Sequence, residues 1–570
     1  MPSRPLSTLL VLSFVALISC VSTSPKVPEM AADGILRMTI PDIQGTRESS
    51  PVVGQTLETH GVVTLLLKKG EQPVGFVIQD QNGDGDPGTS DALFVDWDQT
   101  GGLPHVGDLL TVRGTVDEEN GRTGLAHVGI LDRKGDTPLP AAQPFRLGDD
   151  SSLEALEGMR VSHDGPLTVI DTYHLGRYGS AILCEGPRPF TAGSLPATVG
   201  QIDRSLASVI LDDADLQQNP PRIAWLGEQP MPRTGDLLPR VEGVLEPFKE
   251  GWHLQASAVL ELQRGNPRPD SPPEVGGSLR VASFNVLNFF ATPGGRGADS
   301  AEEITRQQAK LESALLALDA DLYGLIEIQN DSGQALQKLV DALNGSRGEE
   351  VWRAVADPAE GLGSDAIKQA FVYRPASLEL IGAARTDTDP IYSRPPLAIT
   401  VKSRKDGQVL SVIVNHLKSK GCRGAEGEEK DQGQGCWNAL RTRQAARLLE
   451  FVERVKQESG DPDVLLMGDL NAYLEEDPPR LLEQAGFENL LRRLPAETRY
   501  SYVYQGQSGV LDHALASTSL APLVSGIGVW HINADECPLL DYNLEYKDPT
   551  IFKPDPFRSS DHDPVLIGLN

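Results

Sequence analysis

Val464-Leu465-Leu466-Met467-Gly468-Asp469-Leu470-Asn471 decides how this chain is read. Four apolar residues are too few for a helix and suit a buried strand. The glycine then turns the chain, so that Asp469 and Asn471 stand at the edge of a sheet, where a rigid strand can hold them and loops leave them accessible. The same arrangement, a polar residue directly after an apolar strand, recurs five times. It is found at Ser283-Phe284-Asn285, Leu325-Ile326-Glu327, Val414-Asn415-His416, Leu511-Asp512-His513 and Ser559-Ser560-Asp561-His562-Asp563. A lone Asp-His pair is usually a turn with a local hydrogen bond, but six such points in succession are hard to attribute to turns. Carboxylates, Asn and His without a matched Ser or Cys nucleophile point to hard-cation and acid–base chemistry.

Around these points strands alternate with helices. Strands are expected at Leu279–Leu287, Leu322–Gln329, Ala370–Tyr373, Ala398–Lys402 and Val409–His416, with helices at Ala301–Leu318, Ser332–Leu343 and Ala439–Gln457. This mixture implies one α+β catalytic domain over 278–570, a two-layered αββα sandwich. Upstream, Arg264 to Pro273 opens a stiff Pro-rich linker at 264–277. Before it lie two all-β regions, 40–148 and 149–263, with short strands and Gly-rich turns. Gly107-Asp108-Leu109-Leu110 followed by Val112-Arg113-Gly114 recurs as Gly235-Asp236-Leu237-Leu238 followed by Val241-Glu242-Gly243. The repetition implies two copies of one small β-fold, a sandwich or a barrel.

The 570 residues carry 56 Gly and 42 Pro, 39% hydrophobic residues and a net charge of −29. This composition excludes collagen, coiled coil and wholesale disorder. The acidic balance argues at first against a nucleic-acid partner, because polyphosphate is bound mainly by Lys and Arg. Locally the balance reverses: Lys402 to Lys456 contains twelve Lys and Arg against seven acids. Within it, the loop between Cys422 and Cys436 and the helix that follows are the candidate contact for a nucleic-acid backbone. Cys422 and Cys436 flank a Gly- and charge-rich segment inside it, and a disulfide is expected to close that loop. Cys184 and Cys537 have no assigned pairing, and none of the four has zinc-site spacing.

At the N-terminus, Arg4 and the apolar run Leu9–Ile18 have signal-peptide form. Leu17-Ile18-Ser19-Cys20 resembles the bacterial lipoprotein processing box. That resemblance implies a signal at 1–20, lipidation of Cys20, a tether at 21–39, and an exported outer-membrane or cell-surface address with membrane contact through the lipid alone. An ordinary cleaved signal, with release from the cell, is the alternative. No protein partner can be inferred.

The order of the six points resembles the endonuclease/exonuclease/phosphatase superfamily over about 279–570. The likeness is to large bacterial extracellular nucleases, through Asn415-His416-Leu417-Lys418-Ser419-Lys420-Gly421, Gly433-Gln434-Gly435-Cys436-Trp437-Asn438, His531-Ile532-Asn533-Ala534-Asp535-Glu536 and Arg558-Ser559-Ser560-Asp561-His562-Asp563-Pro564. Val52-Val53-Gly54, Gly61-Val62-Val63-Thr64, Gly75 to Asp80 and Thr89-Ser90-Asp91 resemble the OB-like β-domain that often precedes such nucleases. The resemblance implies a hydrolase that cleaves DNA, and RNA as a further candidate, with activated water and a divalent cation: Mg²⁺ first, Mn²⁺ or Ca²⁺ as alternatives. By the same resemblance Asn285, Glu327 and Asp561 form the metal set. Asp469 orients or deprotonates water, Asn471 holds a phosphate oxygen, Asp512 pairs with His562, and His416 is the second histidine. Lys368 and Lys418 are candidate phosphate contacts, and Asp365 is the only candidate partner for His416. Two other functions stay open: a phosphodiesterase of the same fold acting on phospholipid, and a non-enzymatic surface-binding lipoprotein.

In the first β-region, Asp80, Asn82, Asp84 and Asp91 copy the oxygen spacing of a calcium loop, giving a candidate structural calcium site; an acidic Gly-rich hairpin turn is the alternative. Trp352, Trp437 and Trp530 are expected to serve packing rather than base stacking.

Overall fold

The computed structural model describes residues 29–30, 34–97, 103–148, 153–194, 208–248 and 251–570. Cys20 and the signal segment lie outside the described residues.

In the first β-region, Thr56–Lys69 pairs with Gln72–Gln79, and that strand with Ala92–Asp96. Ala92–Asp96 runs parallel to Arg122–Lys134, which pairs with Leu109–Glu119, which in turn returns to Thr56–Lys69. The five strands close on themselves and leave no free edge. Alternation fills the interior: Leu110, Val112 and Val116 point in, against Ile40, Phe76, Ile78 and Leu93. The second β-region repeats the same ring with Arg160–Asp171, Ala181–Glu185, Ser208–Asp212, Gly251–Ala256 and Leu237–Phe248, and again its third and fifth strands in chain order are the parallel pair.

The repeated Gly-Asp-Leu-Leu motif opens the fourth strand of each ring, and the two turns share the same hydrogen bonds. Gly107 (φ 92) and Gly235 (φ 97) take the left-handed backbone that only glycine adopts without strain. The Asp108 carboxylate accepts from His105 N–H at 2.6 Å, and that of Asp236 from Arg233 N–H at 2.9 Å. The two rings do not hang apart. Leu65, Leu67, Val77 and Phe94 of the first pack in one buried cluster with Val161, Leu167, Leu245 and Leu254 of the second.

The C-terminal region holds two six-stranded sheet paths face to face. In space one runs Arg353–Ala354, Ile367–Tyr373, Leu322–Gln329, Leu279–Phe289, Val565–Leu569 and Val524–Val529. The other runs Leu378–Leu380, Leu397–Ser403, Val409–His416, Val464–Asp469, Asp512–Ala516 and Glu488–Asn489. Ile326, Phe371, Val412, Met467 and Ile567 form the core between the sheets. The outer faces are covered by Ala301–Leu318 and Gln334–Arg347 on one side and Asn438–Ser459 on the other. Helix Ala301–Leu318 starts where Ser300 Oγ caps Glu303 N–H, and it buries Ile304, Leu311, Ala314, Leu315 and Leu318 on one stripe.

Polar residues were expected to follow each strand. For two of the six the order is reversed: Asp512 begins its strand, and Asp561-His562 precede Val565–Leu569. Both strands are antiparallel to their neighbours, with Asp469 opposite Asp512 and Ser283 opposite Val565. Their leading ends therefore meet the trailing ends of the other four at the same edge.

The Pro-rich linker is fastened rather than free. Arg264 bonds the Asp236 carboxylate, Asn266 Nδ2 donates to Asp535 at 2.8 Å, and Arg268 forks onto Glu536 at 2.9 and 2.7 Å.

Candidate active site

The sheet edge gathers Asn285, Glu327, His416, Asp469, Asn471, Asp512, Asp561 and His562. Glu327 sits at a break in the strand register between Ile326 and Ile328, with φ 70, a bulge that re-aims its side chain. Its Oε2 accepts from Asn288 N–H at 3.0 Å, and Asn285 Nδ2 reaches its Oε1 at 3.2 Å. Gly468 (φ 124) lets the chain turn so close to Asn415 that an added Cβ would lie 2.2 Å from the Asn415 carbonyl oxygen. This close approach sets Asp469 in place. Asn471, at φ 48, donates its backbone N–H to Asp469 Oδ1 at 2.7 Å and its side-chain amide to Asp469 Oδ2 at 3.2 Å and to Leu417 O at 3.2 Å.

The two histidines are in opposite charge states. His562 Nδ1 bonds Asp512 Oδ2 at 2.7 Å, an oxygen that also accepts from Ser501 Oγ at 2.8 Å, and the Tyr502 ring packs 4.7 Å from the imidazole. Burial alone would lower its pKa, but Asp512 and Asp561 outweigh it and hold His562 protonated well above its ordinary range. His416 is driven the other way by burial, Arg394 and His562. Its Nε2 lies 3.4 Å from Asp469 and 3.8 Å from Glu327, distances of an ion pair, yet the nearest group is the Arg394 guanidinium at 2.8 Å. A neutral imidazole accepting from Arg394 reconciles these contacts. Burial and Asp512 push the Asp469 carboxyl up to about 7 against the pull of His562. A base poised there, beside a protonated histidine, divides the acid and base roles.

Glu327 is raised by burial and by the Asp561 carboxylate facing it. Two interacting, partly buried carboxylates offer the oxygen ligands that a hard divalent cation takes. In this rotamer Asn285 Oδ1 accepts Leu287 N–H at 3.1 Å, and its Nδ2 faces Glu327 and, at 3.4 Å, Asp469. Asn285 thus sits between the carboxylates, and Glu327 and Asp561 are the residues that could hold a cation here.

Other expected residues lie elsewhere. Lys368 is buried with its ammonium on Asp357, so a phosphate contact requires that pair to open. Asp365 pairs with Arg296 at 2.8 Å rather than with His416. Lys418 holds its ammonium 5.1 Å from the Trp437 ring centroid. Trp352 and Trp530 are core residues, while Trp437 is only partly buried. The disulfide Cys422–Cys436 is present, whereas Cys184 and Cys537 are buried and not bonded to each other. The basic stretch is largely spent on internal pairs. Arg443 meets Glu428 and Glu429, Arg447 and Arg454 meet Asp387, and Lys420 meets Glu476, leaving Arg423 and Lys430 exposed in the loop. In the first β-region, Asp80 accepts from Asn82 and Gly83 N–H, and Asp91 from Asp84 N–H, the bonding of an acidic turn.

Sequence reasoning missed Arg394, Ser501 and Tyr502. Arg394 precedes Leu397–Ser403, which is antiparallel to Val409–His416, so its leading end shares the edge with His416. The pattern that found Asp512 could have found it. Ser501 and Tyr502 belong to a distant hairpin and carry no local signal.

Residues 282–562 match the model of the Endonuclease/Exonuclease/phosphatase family, so this part of the chain is a domain of that family. The family's members hydrolyse phosphate esters and generally depend on divalent cations. No curated protein matches the chain. Similar solved structures include the catalytic domain of human Nocturnin (18% identity, 51% of this chain and 93% of that one, TM-score 0.32). A mannosyl-6-phosphatase of Bacteroides thetaiotaomicron matches at 15% identity, 51% and 100% coverage and TM-score 0.34. D. rerio TDP2 complexed with a single-strand DNA product matches at 16% identity, 51% and 98% coverage and TM-score 0.34.

Proposed function

We propose that this chain, through its endonuclease/exonuclease/phosphatase-family domain, is a divalent-cation-dependent nuclease that hydrolyses phosphodiester bonds of DNA. One observation carries the reading: a buried Asp469 poised near neutrality shares a sheet edge with a protonated, Asp512-paired His562. Phosphodiester hydrolysis requires both groups, because the attacking water must lose a proton and the departing oxygen must gain one. Asp469 accepts the proton, and Asn471 and Asn285 fix its two oxygens. His562 donates to the leaving oxygen or stabilises it, with Asp512 holding its charge. Arg394, aligned by neutral His416, supplies a positive edge for the phosphate oxygens. Glu327 and Asp561 would hold the cation, Mg²⁺ by preference, which when bound neutralises the phosphate charge and polarises phosphorus.

The two β-rings are assigned as OB-like, because both join five strands with the third and fifth parallel. The exported, lipid-anchored address through Cys20 rests on the sequence box alone. DNA is preferred over phospholipid because the Lys418-Ser419-Lys420 segment and the Asp535-Glu536 motif resemble those of the nuclease branch.

The test is incubation of the purified chain with plasmid DNA, linear DNA and phospholipid vesicles, with and without a chelator. Chelator-sensitive DNA cleavage is expected, abolished by His562→Ala or Asp469→Ala with the fold intact. DNA left whole in the presence of Mg²⁺ or Mn²⁺ would overturn the proposal.

A further inference from the structure

The second β-ring reaches into the catalytic domain through the segment Arg188–Ser194. Thr191 N–H donates to Ser508 O at 2.9 Å and Ser508 N–H to Pro189 O at 3.1 Å. Glu475 N–H donates to Gly193 O at 2.6 Å, and Val510 N–H to Ser194 Oγ at 3.2 Å. The segment thus lies alongside the hairpin Tyr502–Gly509, whose first residue packs on His562.

Arg188 is where these contacts converge. Its guanidinium bonds Ser508 Oγ at 3.0 Å and Asp535 at 2.6 Å, and lies 4.1 Å from the Tyr500 ring centroid. Asp535 is fully buried and is also held by Tyr500 Oη at 2.7 Å, Asn266 at 2.8 Å and Arg233 at 3.4 Å. Three consecutive residues then carry this cluster to the reacting histidine. Tyr500 binds Asp535, Ser501 Oγ donates to Asp512, and Tyr502 covers the His562 ring. A second route leads through the loop beside Asp535. Asn533 Nδ2 donates to His562 O at 2.7 Å, Ala534 N–H to Asp563 at 3.0 Å, and Asp563 N–H to Ser501 O at 2.8 Å. Tyr500 stacks on His531, 3.9 Å between centroids, and His531 bonds Asp563 at 2.9 Å.

We infer that Arg188, a residue of the second β-ring, is a positioning residue for the Asp512–His562 pair, so that the β-ring is part of the catalytic unit. It touches neither member of the pair. It fixes both the Tyr500–Tyr502 segment and the 531–536 loop, and the two together leave one place for His562. Packed, hydrogen-bonded networks of this kind transmit displacement instead of absorbing it.

The inference rests on the proposed nuclease activity, and the experiment separates the two. In the full chain, Arg188→Gln and Arg188→Lys are compared with wild type on plasmid DNA and on bis(p-nitrophenyl) phosphate, a diester too small to span both domains. Arg188→Gln is expected to lower kcat about 10- to 100-fold on both substrates while KM for DNA stays within about twofold, and Arg188→Lys to recover part of the loss. Hydrogen exchange read by mass spectrometry should quicken in peptides covering 500–512 and 558–564 and stay unchanged in Ala301–Leu318. A folded Arg188→Gln with wild-type kcat and exchange would overturn the inference. So would a raised KM for DNA with unchanged kcat, which would make Arg188 a substrate contact. Wild-type protein inert on both substrates would defeat the nuclease reading, with the exchange data still deciding Arg188. Should Arg188→Gln fail to fold, Arg188→Lys and Ser508→Ala carry the same comparison.

Discussion

Replacing Asp512 by Asn should move the alkaline limb of the pH–rate profile. Asp512 is buried, and its Oδ2 takes donors from both His562 and Ser501. Asn has the same shape and can still accept from Nδ1, so the change removes the charge and little else. A hydrogen bond to a charged partner contributes about 1.5–3 kcal/mol. At about 1.36 kcal/mol per factor of ten, that is a roughly 10- to 150-fold weaker hold on the His562 imidazolium. The direction follows from the environment: Asp512 raises a pKa that burial lowers, so without it the cationic form is lost at lower pH. Rates should therefore match wild type most closely at acid pH and fall about 10- to 150-fold behind it above the shifted limb. The assay is kcat/KM for bis(p-nitrophenyl) phosphate from pH 5 to 10 at saturating Mg²⁺, with thermal unfolding as the control for fold. An alkaline limb that stays in place, with rates lowered evenly at every pH, would refute a role for Asp512 in holding His562 charged.

Other outcomes can be stated briefly. Glu157 is buried, leaves Oε2 without a hydrogen-bond partner, and is pushed by burial up to about 8. Its contribution to stability is complete below the unfolded value near 4.5 and is lost as pH rises through 8. Glu157→Gln should therefore raise the unfolding free energy read from urea titration at pH 8.5 and not at pH 4.5, by up to roughly 4–5 kcal/mol; equal effects at both pH values would count against it. Gly468→Ala should cost about 1–3 kcal/mol in backbone strain alone and abolish activity, because its Cβ meets the Asn415 carbonyl; an active, equally stable variant would show that the turn tolerates a side chain. Cys422→Ser with Cys436→Ser removes a crosslink of about 3 kcal/mol by loop-closure entropy, read as faster tryptic cutting at Arg423 and Lys430. Unchanged cutting would mean that the loop is held by other contacts.

Much of the catalytic fold can be read along the chain. Helix Ala301–Leu318 follows from its single apolar stripe, and strands Leu322–Gln329 and Val409–His416 from continuous apolar runs, because both of their faces are buried. The six polar points also meet as expected, since strand ends converge wherever sheets are built. Contacts between distant parts are not legible in this way. Arg394 reaches His416 only through an antiparallel neighbour, and Tyr502 reaches His562 through a hairpin far from it in sequence. Charge counting misleads for a related reason. The surplus of Lys and Arg between Lys402 and Lys456 resembles a binding edge until Asp387, Glu428, Glu429 and Glu476 fold onto it. Orientation is hidden as well: Asn285 turns its Nδ2 toward Glu327 and its Oδ1 toward Leu287 N–H.

The linker between the β-rings and the catalytic domain provides no slack. Asp236 shapes the turn that opens a barrel strand and also binds Arg264, so closing the ring and seating the linker are one event. Arg268 then anchors the far side to Glu536. The proposed catalytic mouth is in effect a turret bolted to its base, because the contacts that close the second barrel also brace the loop beside His562.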